Sequence, residues 1–103
     1  MDFITPESIE PYKQLSDMLA DSIPGGIIFA LADLEKLTWK RASKSFDIPA
    51  FHVGLPLRQG GAADVCIKTG RPAEEQVARA VYGMRLLMQA VPVMEEGAAV
   101  GAA

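Results

Sequence analysis

The chain has few of the residues that usually carry chemistry. In 103 residues there is one cysteine, one histidine and one tryptophan. A single Cys66 excludes an intrachain disulfide and any metal site built on several thiolates. Flanked by apolar neighbours in ADVCIKTG, it reads as a small buried hydrophobe. One histidine and one cysteine leave no assembled nucleophile and base, so nothing points to an enzyme. Gly-Gly occurs at 25–26 and 60–61, in neither case within the pattern of a phosphate-binding loop. Ten Lys and Arg against thirteen Asp and Glu give a net charge of −3. That is no footprint for nucleic acid or for an anionic lipid surface. In the densest basic run, WKRASK, Lys40, Arg41 and Lys44 are offset by Glu35 and Asp47, as on a solvated strand face. The longest apolar run, IIFALA, is far too short to span a bilayer. The acidic start MDFITPESIEPYK lacks the charged-then-apolar order of a signal peptide. The expectation is a cytoplasmic segment with no nucleic-acid partner and no direct membrane insertion.

What is present is ordinary globular composition, 50% hydrophobic and 22% charged, at a length that fits one domain spanning 1–103. Thr5, Pro6 and Glu7 form a helix start. Tyr12, Leu15, Met18, Leu19 and Ile23 then fall on one apolar stripe, predicting a helix over 6–23, firmest over 11–22 past Pro11. PGG ends it. IIFALAD is apolar on both alternating faces, like a strand covered on both sides. After the turn DLEK, KLTWKRAS alternates Leu37 and Trp39 with Lys36, Thr38 and Lys40, so 27–41 reads as an antiparallel hairpin. SFDIPAFHVGLPLRQGG holds two prolines and three glycines without a sustained period and reads as a crossover. AADVCIKTG is a short helix, with Gly70 placed to end it in the left-handed region.

The last third, PAEEQVARAVYGMRLLMQAVPVMEEGAAVGAA, has two incompatible readings. Val77, Ala80, Val81, Met84, Leu87, Met88 and Val91 stand at helical spacing among good helix formers. Yet Met84, Leu86, Met88 and Ala90 also alternate, Gly83 disfavours a helix interior, and PVMEEGAAVGA resembles a hairpin with a Glu-Glu-Gly turn. Local pattern leaves both open.

This tail resembles the ending of PAS-like cytoplasmic sensory domains in methyl-accepting chemotaxis proteins and related bacterial signalling proteins. There Val-(Tyr/Phe)-Gly precedes an alternating strand, a proline, an acidic Gly-containing turn and a Val-(Val/Ile)-Gly-Ala strand. Here AVYG, MRLLMQAVPV, MEEG and AAVGAA stand in that order. GGIIFALADLEKLTWKRASKSFDIP is similar to the family's opening hairpin, and VGLPLRQGGAADVCIKTGRP to its Gly-rich lead-in to a short helix. The likeness covers about 24–103, and its weight lies in colinearity, since each motif is built of common residues.

The resemblance implies an α+β fold. An antiparallel sheet of about five strands makes up a core over 24–103, with Gly83 at a bend and the last strand cut short. A helical crossover (43–70) covers one face, and the N-terminal helix packs outside or against a second subunit. It implies a non-catalytic input domain that binds a small molecule or relays conformational change to an output signalling domain, as a homodimer through the N-terminal helix. Candidate ligand-binding residues are Trp39, Phe51, His52, Tyr82 and Arg85. Four of these have an ordinary alternative. Trp39 fits a plain core, His52 a surface or internally satisfied histidine, Arg85 an exposed strand arginine, and Tyr82 an anchor for the bend. His52 is the one imidazole that could hold a non-covalent haem, and no other cofactor suggests itself. The alternative function is a helical or PAS-type dimerisation module with no ligand, in which a helix over 73–91 pairs two chains with the first helix.

Overall fold

The computed structural model describes residues 3–82 and 84–103, with the backbone alone at Ala80 and Tyr82. A 3-10 turn at Pro6–Ser8 leads into helix α1, Ile9–Leu19. Pro11 stands in its first turn, where a missing N–H does little harm, and the helix runs through it. It stops at Leu19, short of the expected Ile23. Pro24 follows, and Gly25 and Gly26 take φ of +80° and +84°, a conformation in which no helix continues.

The buried side of α1 differs from the expected stripe. Ser16 and Ala20 are buried and Tyr12 half-buried, whereas Leu15 and Met18 are 54% and 75% exposed. The row i, i+4, i+8 of Tyr12, Ser16 and Ala20 faces the sheet because two small side chains allow close approach. The Ser16 hydroxyl is satisfied by the Tyr12 carbonyl at 2.7 Å. The larger residues are left outside.

Strands β1 (Ile28–Ala32) and β2 (Leu37–Ala42) pair antiparallel, with Ile28 opposite Ala42 and Leu31 opposite Trp39. The Asp33 carboxylate closes their turn by accepting the Glu35 and Lys36 N–H groups at 2.7 and 2.9 Å. On one face of this hairpin, α1 sets Tyr12 edge-on to Phe29 and Trp39, with centroids 6.1 and 5.9 Å apart. Arg41 pairs with Asp17 and Asp21 of the same helix region. On the other face, Lys40 holds the crossover through the Asp47 carboxylate (2.5 Å) and the Ile48 carbonyl (3.1 Å). Helix α2, Ala62–Thr69, ends at Gly70 with φ +66° and packs Ala62 and Cys66 on the sheet.

The ambiguous tail is mostly extended. It forms β3 (Ala73–Val77), a single helical turn α3 (Arg79–Tyr82), β4 (Leu86–Ala90), β5 (Pro92–Glu95) and β6 (Ala98–Ala102). The helix over 73–91 does not form. The expected bend at Gly83 lies outside the described residues. Glu96 and Gly97, with φ of +52° and +82°, make the two-residue turn between β5 and β6.

Four strands form one sheet in the order β2-β1-β6-β5, and β3 pairs with β4. The two ladders meet at Val91, which exchanges both backbone hydrogen bonds with Ala103 (3.1 and 2.9 Å). β4 and β5 are therefore successive pieces of one strand path, and about five strand positions become six segments. Among the described residues no helix is long and apolar enough to cross a membrane.

Candidate functional site: an open slot in the sheet

β1 meets β6 at one residue pair only, Ala32 opposite Ala102. Past that point β1 and β4 border a slot of about 590 Å³, walled also by Ala62 and Ala63 of α2 and by Ile48 and Phe51 of the crossover. Its size is that of a small-molecule site, and its walls are mostly apolar.

Strand alternation fixes what the slot sees of the backbone. The Ser43 N–H bonds to the Ile27 carbonyl at 3.0 Å, so Ile27, Phe29 and Leu31 direct their peptide groups to β2. Ile28, Ala30 and Ala32 direct theirs the opposite way. Ala32 finds β6, while Ile28 and Ala30 face the slot. On the far side Val91 points at Ala103, so Gln89 and Leu87 of β4 also point inward. Two rows of peptide donors and acceptors thus look at each other across the opening. The Tyr12 hydroxyl of α1 donates to the slot-facing Ala30 carbonyl at 3.1 Å. Burial pushes the Tyr12 phenol above its ordinary value.

Of the residues expected at a site, Phe51 and Arg85 do line the slot. Arg85 sits just before β4, exposed, with no ion pair among the described residues. Trp39 does not reach it. That ring lies under α1, with the Lys13 ammonium 6.0 Å from its centroid, beside a separate cavity of about 290 Å³. His52 is exposed on the crossover with Nδ1 3.0 Å from the Val53 carbonyl, and it does not line the slot. A haem in the slot would not find its axial ligand there. The Tyr82 side chain lies outside the described residues.

Cys66 is fully buried, and burial pushes its thiol up to about 11, which leaves little thiolate at neutral pH. Tyr12 is the slot residue that sequence reasoning passed over. It belongs to the apolar stripe expected on α1, and its phenol is the available signal, because a buried tyrosine hydroxyl needs a partner. No protein-family model, curated protein or solved structure matches this chain.

Proposed function

We propose that this chain is a PAS-like, non-catalytic input domain of a cytoplasmic chemotaxis-type signalling protein. It binds a small molecule or takes up another conformational input, and it passes the change to an output domain. The observation that carries the reading is the Tyr12–Ala30 hydrogen bond, which ties α1 to the wall of the slot. A donor in the slot that competes for the Ala30 carbonyl weakens that tie, and a two-state contact of this kind converts occupancy into a signal. The antiparallel sheet with a crossover and short helix on one face and α1 on the other accords with the same reading.

Dimerisation through α1 belongs to the proposal. Leu15, Met18 and Leu19, at 54%, 75% and 38% exposure, form an apolar strip that α1 turns away from its own sheet. The same strip favours the second reading, a dimerisation module without a ligand.

One experiment separates them: amide hydrogen exchange with and without anilinonaphthalene sulfonate, on protein whose mass is fixed by light scattering. The expected result is a dimer in which the probe binds and speeds exchange over Ser16–Ala20. A dimer whose α1 exchange ignores a bound probe, or that binds none, leaves the dimerisation module. A clean monomer at high concentration removes the dimer from both.

A further inference from the structure

We infer that the cavity of about 290 Å³ beside Trp39 is a binding site for a small apolar molecule carrying a single carboxylate. It lies on the α1 side of the sheet, between the start of that helix and the turn end of the β1–β2 hairpin. Its size is near the lower end for small-molecule sites. Leu31 and Ala32 border both openings, but the polar side chains of this cavity do not border the slot, and neither site depends on the other.

The walls set the class of ligand. Leu31 and Val93 are buried, and with Ile9 and Val100 they make the cavity mostly apolar. Three of the polar lining residues carry donors that the chain leaves underused. The Lys13 ammonium has only the exposed Glu10 carboxylate, 3.7 Å away, and stands over the Trp39 ring. The Trp39 indole N–H has no hydrogen-bond partner among the described residues. The Thr38 hydroxyl donates to the Leu31 carbonyl over a long 3.3 Å. A carboxylate accepts from several donors at once, and its bond to an ammonium is charge-assisted. Asp33, on the same lining, decides how many negative groups can enter. Its Oδ1 accepts both turn N–H groups, which hold the carboxyl below the usual range, so its charge is fixed at neutral pH. That charge opposes a second negative group, which excludes dicarboxylates and phosphates. A ligand held by Lys13 and Ile9 of α1 and by Trp39 of β2 also clasps the helix to the sheet.

The chain's one tryptophan gives a single indole N–H resonance, which makes binding easy to follow on the full chain. The test is an NMR titration with 4-methylpentanoate, its neutral isostere 4-methylpentanamide, succinate and leucine, together with amide exchange. We expect 4-methylpentanoate to move the Trp39 indole N–H and the Val93 and Val100 amides saturably, and to slow exchange over Tyr12–Ser16. The amide isostere should bind about tenfold more weakly, and Lys13→Gln should erase that difference. Val100→Phe, at a half-exposed strand position that takes an aromatic side chain, should fill the cavity and abolish binding while the circular dichroism spectrum is kept. Asp33→Asn, which keeps the turn acceptor, should admit succinate. Equal binding of acid and amide, or no saturable shift at Trp39, overturns the site. Succinate binding the unaltered chain as well as 4-methylpentanoate does, or leucine binding more tightly, overturns the single carboxylate. Shifts confined to Ile28–Ala30 and Leu86–Ala90 give the ligand to the slot and overturn this site while leaving that one standing.

Discussion

The sheet has a packed end and an open end built from similar residues. At the packed end Cys66 of α2 is fully buried, with Pro92 and Val93 buried too, and Ala62, Ala90 and Ala102, at 2–6% exposure, form the border with the slot. At the open end Ile28, Phe29 and Ala30 of β1 are only half-buried, though they are on average larger and no less apolar. Hydrophobicity does not explain the difference. β6 has a hydrogen-bonded neighbour on each side, and the first half of β1 has one only. A strand paired on both edges brings two faces into the core. One paired on a single edge leaves its larger side chains partly wet.

The strongest way to break this contrast is to damage the single junction that joins the two ends. Gly101 lies against the Ala32 carbonyl, and a Cβ there would overlap that oxygen. The obstacle is backbone in a paired strand, so it cannot swing aside. Gly101→Ala should destabilise the domain by about 3 kcal/mol, the upper part of the overpacking range. For a domain of this length that is roughly a 12–24 °C fall in Tm. Thermal unfolding followed by circular dichroism checks it, and a loss under about 1 kcal/mol would mean that β1 is not held by β6.

A smaller effect should be confined to the open end. Ser43 is buried at the end of β2. Its Oγ accepts the Ile27 N–H at 2.8 Å and lies 2.5 Å from the Ala20 carbonyl and 2.9 Å from the Ile27 carbonyl, to which its one proton is shared. It thereby ties the end of α1 to the start of the hairpin. Ser43→Ala takes this partner from the Ile27 N–H and the Ala20 carbonyl, while the Ile27 carbonyl keeps the Ser43 N–H, and should cost about 2 kcal/mol. Exchange should rise at Ala20 and Ile27 while α2 and β6 stay protected. Uniform loosening would show that the two ends unfold as one unit.

The packed end was also the more legible in sequence. Gly70 and the short helix before it, and the acidic Glu-Gly turn, are local devices with local signatures. The β1–β2 hairpin was read from alternation in the same way. β3 and β4 were not legible from pattern alone, because Glu, Gln, Leu and Met favour helix. What overrides them is cross-strand pairing, with Glu74 opposite Gln89 and Val77 opposite Leu86, and pairing lies beyond local propensity. Only the turn Arg79–Tyr82 keeps the helical preference. The stripe of α1 is not legible in hydrophobicity, because Ser16 is polar and Ala20 only weakly apolar, yet their small size decides which side approaches the sheet. Phe51 and Arg85 stand out in the sequence by their side chains. The slot does not, since its walls β1 and β4 come from distant parts of the chain.

The smallest expected effect is electrostatic, and it sharpens the comparison by acting first at the open end. The Lys44 N–H and then Arg41 hold the Asp21 carboxyl below the usual range, and Lys40 does the same for Asp47. At the packed end Asp64 is lowered by the Gly60 N–H and then by Lys68. Asp64 serves its own helix, whereas Asp21 and Asp47 fasten a helix and a crossover to β2. Each folded-state value lies below the unfolded one. Their contribution is therefore fully present above the ordinary aspartate range near 4 and is lost as pH falls through the depressed values. All three carboxylates are at the surface, so the effect is small and screened by salt. Tm should hold from neutrality to about pH 5, decline below about 4, and decline less in high salt. Carboxyl-carbon NMR titrations should find Asp21 and Asp47 protonating together with faster exchange over Ala20 and Ile48, at a pH where the amides of α2 are still protected. If α2 loosens first, the open end owes its hold on the sheet to packing rather than to these ion pairs.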